Sequence, residues 1–226
     1  MSAQADTEAP PAAASAGRLW AELCALYLGI PLLMAFVLPP DAVWTVIPAA
    51  TALSLALLAA TPGFRWRELA EGPWLPAPRA FAAFAALCAL GAAAVVLTLR
   101  PVAFLGLPRY APELWLTVLT LYPMLSAYPQ EVMYRALFFR RYGVLFPSSA
   151  AALAVNAALF GLAHLFLWNS VALAATAAGG AVFGWAYLRT GRGRNLLFAT
   201  LLHAAAGWAI FTLGAGVFFY HGAVAR

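Results

Sequence analysis

Apolar residues in this chain run on without alternating. From Leu19 onward the sequence falls into long, nearly uncharged stretches separated by short segments that hold Pro, Gly and Arg. Continuous runs exclude the alternating ten-residue segments of a membrane β-barrel. They fit α-helices of about 20 residues, which cross roughly 30 Å of hydrocarbon at about 1.5 Å per residue. The runs predict seven spans: Leu19–Leu38, ended by Pro39 and Pro40; Ala42–Ala60, ended by Thr61-Pro62-Gly63; Ala80–Leu99; Leu114–Phe139, with a bend expected at Pro129; Ser149–Leu167; Val171–Leu188; and Leu196–Leu213, followed by the aromatic Phe218, Phe219 and Tyr220. Residues 1–17, rich in Ala, Pro and Ser with Asp6 and Glu8, read as a disordered tail. They lack the basic start of a cleaved signal peptide, so the first span is expected to act as a signal anchor. Residues 18–226 then form a single transmembrane helical domain. The expected fold class is an all-α, polytopic integral membrane bundle of about seven helices.

Composition narrows the picture further. Of 226 residues, 65% are hydrophobic and only 9% charged, against roughly 25% charged in a soluble domain. Two cysteines, Cys24 and Cys88, exclude a disulfide scaffold. A net charge of +5 with no large basic cluster argues against nucleic acid as a partner; the partner expected first is the lipid bilayer. All 13 basic residues are Arg. If the N-terminus is cytoplasmic, Arg18, Arg65, Arg67, Arg79, Arg140, Arg141, Arg189, Arg192 and Arg194 fall on that side. Arg100, Arg109 and Arg226 fall on the other, and Arg135 lies within a span. This bias obeys the positive-inside rule and supports seven spans with the N-terminus cytoplasmic; the expected location is an integral membrane one, a bacterial inner (plasma) membrane. Phe64, Trp66, Leu69 and Trp74, interleaved with Arg65 and Arg67, predict an interfacial segment. Gly180 and Gly184, four apart, predict close helix packing.

An ionisable residue costs at least about 2.5–3.5 kcal/mol at the centre of a membrane helix, which makes it a functional candidate by default. The candidates are Glu131, Arg135, His164 and His203, with Gln130 beside the first. Glu131 and Arg135, four apart, share one helix face. As a buried pair they equally suit a helix that only needs to enter the membrane. His164 is expected in the middle of the fifth span, with Asn156 and Phe160 on nearly the same face. A single buried His suits packing, with its ring bonded to a backbone carbonyl. Two His on separate spans and a carboxylate on a third suit a shared site, with one group to take a proton and others to donate to an oxyanion. His221 is given no role. The chain has no His-Glu-x-x-His, no Gly-x-Ser-x-Gly and no phosphate loop. Glu131, His164 and His203 are of the types that bind a divalent metal, yet no ligand spacing selects one. No cofactor is expected.

The polar motifs resemble those of the CAAX protease and bacteriocin-processing (CPBP) family. Gln130-Glu131-Val-Met-Tyr-Arg135 is similar to its Glu-Glu-x-x-x-Arg, Phe160-Gly-Leu-Ala-His164 to its Phe-x-x-x-His, and His203-Ala-Ala-Ala-Gly207 to its His-x-x-x-Asn or Asp. The similarity covers about 126–214. It implies an intramembrane glutamic endopeptidase acting on a membrane-associated protein or peptide. In that reading Glu131 is the base that activates water, His164 shares the water, His203 donates to the oxyanion and Arg135 holds the carboxylate ionised. The sequence departs from the pattern twice. Gln130 stands where the family's usual base does, and an amide takes no proton at neutral pH. Gly207 stands where a side-chain donor is expected. In a divergent subgroup Glu131 takes over as base, and Gln130 or Asn156 supplies the donor. The alternative is a catalytically inactive membrane binding or scaffold protein on the same fold. A small transporter would predict related halves, and no repeat is visible.

Overall fold

A computed structural model of the chain describes residues 15–189 and 194–219. Most of the expected N-terminal tail lies outside those residues, as do Arg192, Tyr220, His221 and Arg226. In chain order the helices are α1 (Ala16–Phe36), α2 (Pro40–Ala59), α3 (Pro78–Leu99), the short α4 (Gly106–Tyr110), α5 (112–142), α6 (Ser149–Leu162), α7 (Ser170–Arg189) and α8 (Leu196–Leu213). The described residues contain no strand. The fold is therefore an all-α polytopic membrane bundle.

Among the described residues, six helices are long and apolar enough to cross a membrane: α1, α2, α3, α6 counted through Leu167, α7 and α8. The seventh expected span is α5, which is long enough but not apolar enough. Its second half carries Gln130, Glu131, Arg135, Arg140 and Arg141. The bundle itself explains why such a sequence is tolerated. All of Val132–Tyr142 is buried except Arg140, so protein rather than lipid surrounds the charges. The first half of α5 is the reverse, with Leu114, Leu116 and Met124 exposed at 54%, 55% and 72%.

Helical turns continue from 112 to 142, through Pro129, where a bend is expected. Wide π-type turns over Pro123–Ala127 and Val132–Tyr142 accommodate the prolines. Pro123 has no N–H to give to the carbonyl of Leu119 four residues earlier. The indole Nε1 of Trp208 donates to that carbonyl at 2.8 Å instead. Farther along the same seam, Trp115 Nε1 donates to Thr212 Oγ1 at 3.0 Å. A proline gap in α5 thus becomes an attachment point for α8.

The second half of α5 is the centre of the bundle. From α1, Glu22 takes Arg141 at 2.7 and 3.0 Å, and the Tyr27 hydroxyl donates to Met133 O at 2.6 Å. Helices α6 and α7 pack through small residues. A Cβ on Gly180 would lie 3.1 Å from Ala157 Cα, and one on Gly161 2.9 Å from Ala177 Cβ. Close packing is what the Gly180 and Gly184 spacing predicts, and here it lets α6 stay near α5. The segment between α2 and α3 makes a short turn, Trp66–Leu69, with Trp66 and Trp74 exposed and Leu69 buried. Asn195 ties that segment to α8. Its Oδ1 accepts from Phe198 N at 3.0 Å, capping the helix, and its Nδ2 donates to Pro73 O at 2.9 Å.

Candidate active site

Glu131 and Arg135 lie one turn apart on the buried half of α5, and both are 0% exposed. Arg135 Nε donates to Glu131 Oε2 at 3.0 Å. Its Nη1 donates to Asn156 Oδ1 on α6, and Asn156 Nδ2 donates to Tyr134 O at 2.7 Å. Asn156 thus holds the guanidinium and also satisfies a carbonyl in the wide part of α5. The guanidinium carbon sits 4.9 Å from the centre of the Phe160 ring and 6.0 Å from that of Phe183, within cation–π range. Arg135 Nη2 has no hydrogen-bond partner among the described residues.

The other carboxylate oxygen faces α8. His203 Nδ1 lies 2.9 Å from Glu131 Oε1. A carboxylate only accepts, so Nδ1 carries a proton, and in the neutral tautomer that leaves Nε2 with its lone pair. The His203 ring stacks on Phe183 at 4.8 Å and 11°, with Phe160 edge-on at 5.5 Å. Rings on α6 and α7 therefore fix its plane while Glu131 fixes its rotation. The result is a buried chain, Arg135 to Glu131 to His203, in which a cation and an imidazole share one carboxylate.

His164 is not in the middle of a helix as expected. Helix α6 ends at Leu162, and His164 lies in the turn before the short 3-10 segment Leu165–Leu167. The cause is the next helix. Asn169 Oδ1 accepts from Val171 N at 2.9 Å and Ala172 N at 3.1 Å, capping α7, and the chain must turn just before that cap. The expected closeness to Phe160 survives. His164 Nδ1 lies 2.8 Å from Phe160 O, and the two rings are 5.0 Å apart. A carbonyl also only accepts, so His164 too keeps Nε2 as its acceptor.

The structure joins Glu131, Arg135, Asn156, Phe160 and His203 through direct contacts. His164 reaches this group through Phe160. Gln130 stays apart, its Nε2 donating to Ser126 Oγ at 2.8 Å. Among the described residues no three His, Cys, Asp or Glu side chains gather as metal ligands. Sequence reasoning missed Tyr122, whose ring lies 6.0 Å from that of His203. No motif marks it, because its place is set by Gly207, far along the chain on α8.

Fold and site together define a helical membrane protein with a buried carboxylate–imidazole pair. Residues 112–219, from the start of α5 past the end of α8, match the Rce1-like family, described as type II CAAX prenyl endopeptidase Rce1-like. Over that segment, just under half of the chain, the sequence is similar to this family of proteases, which supports the CPBP resemblance. No curated protein and no solved structure matches the chain.

Proposed function

We propose that the chain is an intramembrane endopeptidase that hydrolyses a peptide bond of a membrane-associated protein or peptide, with Glu131, His164 and His203 as its catalytic set. The observation that carries this reading is the Arg135–Glu131–His203 chain. A carboxylate that orients an imidazole also stabilises the imidazolium formed when the ring takes a proton. Both oxygens of Glu131 are engaged and the residue is fully buried. This favours His203 Nε2 as the atom that receives the proton of water, with Glu131 supplying the charge behind it. The motif alone suggested direct proton abstraction by Glu131 and oxyanion donation by His203. The free Nε2 of His164 accepts the second proton of the water as a hydrogen bond and aims it. Arg135 and Asn156 position Glu131, and Phe160 holds both rings.

The test is hydrolysis itself. Cells expressing the wild-type chain or His203→Ala are grown in water enriched in oxygen-18, and their membrane proteins are mapped for new C-termini. The wild type should yield labelled carboxyl termini that the variant lacks. One observation favours the alternative of a binding or scaffold protein: Gln130 is bonded to Ser126 rather than to the dyad. That reading predicts identical termini in the two strains.

We also infer that the N-terminus is cytoplasmic, because Arg65, Arg67 and Arg79 then share a side with Arg140 and Arg141. With Cys24 and Cys88 replaced by Ala, an impermeant thiol reagent should label Val102→Cys in intact cells. Glu71→Cys should react only after permeabilisation. The opposite pattern reverses the orientation.

A further inference from the structure

Tyr122 lies where α5 meets α8, in a notch that Gly207 provides. A Cβ on Gly207 would fall 2.1 Å from Tyr122 Cε1 and 2.6 Å from Cζ, closer than real atoms approach. Any side chain at 207 would therefore have to displace this ring. Gly207 follows His203 by one turn, on the same helix face. The ring is held along that face: His203 meets it at 6.0 Å and 75°, and Phe211 at 5.4 Å and 68°. Cζ, the carbon that bears the hydroxyl, is the second-nearest atom to the notch. Among the described residues that hydroxyl makes no hydrogen bond, and it keeps accessible surface on a half-buried residue, so a substrate carbonyl can meet it. The fold thus sets a fixed, neutral and unused O–H donor beside the imidazole that Glu131 orients.

We propose that Tyr122 is a catalytic residue whose hydroxyl donates a hydrogen bond to the oxyanion formed at the scissile carbonyl. The inference rests on the peptidase reading above. Water forms its bond to the carbonyl carbon and gives one proton to His203 Nε2. The carbonyl π electrons move onto oxygen, where the Tyr122 O–H meets them without losing its own proton. When the carbonyl re-forms, the C–N bond breaks and His203 returns the proton to the departing amine. A phenol suits this position because it donates without adding charge next to Glu131. It also leaves His203 free for proton transfer, where the motif alone gave His203 the oxyanion.

The experiment uses the full chain in proteoliposomes and an internally quenched peptide ending in an S-farnesyl-Cys-aliphatic-aliphatic-X sequence. Tyr122→Phe keeps the ring in its notch and removes only the O–H. It should lower kcat by about 10²–10³-fold, with KM and melting temperature unchanged. A purely structural Tyr122 predicts a wild-type kcat for this variant, and that result overturns the proposal. Rescue provides the second arm. Gly207→Asn alone collides with the ring and should fold poorly. Combined with Tyr122→Ala, it returns a donor to the vacated space and should exceed Tyr122→Ala alone at least about tenfold in kcat, a fraction of what one oxyanion donor supplies. Equal rates for those two proteins also count against the role. If the wild type leaves the peptide intact, the peptidase reading fails and Tyr122 loses its role with it, an outcome distinct from a fully active Tyr122→Phe.

Discussion

His203→Ala is expected to remove cleavage while leaving the protein inserted. Loss of a general base typically lowers the rate about 10²–10⁴-fold, and here the same ring also returns the proton to the leaving amine. Glu131→Gln should fall at least as far. The amide oxygen still accepts from His203 Nδ1, but it brings no negative charge to stabilise the imidazolium, and replacing a triad carboxylate by its amide costs on the order of 10⁴-fold in kcat. His164→Ala should also abolish visible cleavage, since the water loses its second anchor. Gln130→Glu should keep or raise the rate, because its side chain bonds Ser126 outside the dyad. The measurement is initial cleavage rate in proteoliposomes at matched protein abundance. Full activity in Glu131→Gln alongside a dead His164→Ala would show that the carboxylate does not act through His203.

The second large effect is on folding. Arg135→Ala removes one of the two groups that hold Glu131 and leaves a fully buried carboxylate compensated only by His203. Breaking a buried ion pair from one side costs about 3–5 kcal/mol, enough to collapse the yield of monodisperse protein. Removing both charges should behave differently. Arg135→Met with Glu131→Gln should recover much of the yield, because no unpaired charge remains, yet show no cleavage. Detergent-solubilised size-exclusion profiles and melting temperatures separate the two cases. A wild-type melting temperature for Arg135→Ala would mean that Glu131 does not depend on this partner.

The contrast between α5 and the other helices shows what the sequence could carry. Six spans were legible because each is a continuous apolar run whose length alone meets the bilayer requirement. The pairing of Glu131 with Arg135 was legible too, because residues four apart on a helix must meet. The turn at His164 was not, because it is set by the Asn169 cap on the following helix, while the local sequence around His164 continues a helical pattern. The tie between Glu22 and Arg141 joins residues in different spans, and no local spacing encodes it. Tyr122 escaped for a related reason. Its importance comes from an empty position, Gly207, on a helix far along the chain. The same glycine read by itself suggests only a missing donor.

The two faces of α5 also bear on how the protein is made. Synthesis delivers Glu131 and Arg135 to the insertion machinery before Asn156, 21 residues beyond Arg135, and well before His203, 72 residues beyond Glu131. At that moment the final shelter for these charges does not yet exist. What α5 already holds is its own one-turn ion pair and a lipid-compatible first half. These let it wait at the bilayer until α6 and α8 emerge and close around it. In ribosome-bound chains halted just before α8, Ala136→Cys on the buried half of α5 should therefore react with a soluble thiol reagent that does not reach it in the completed chain, so α8 acts as the latch for the fourth long segment.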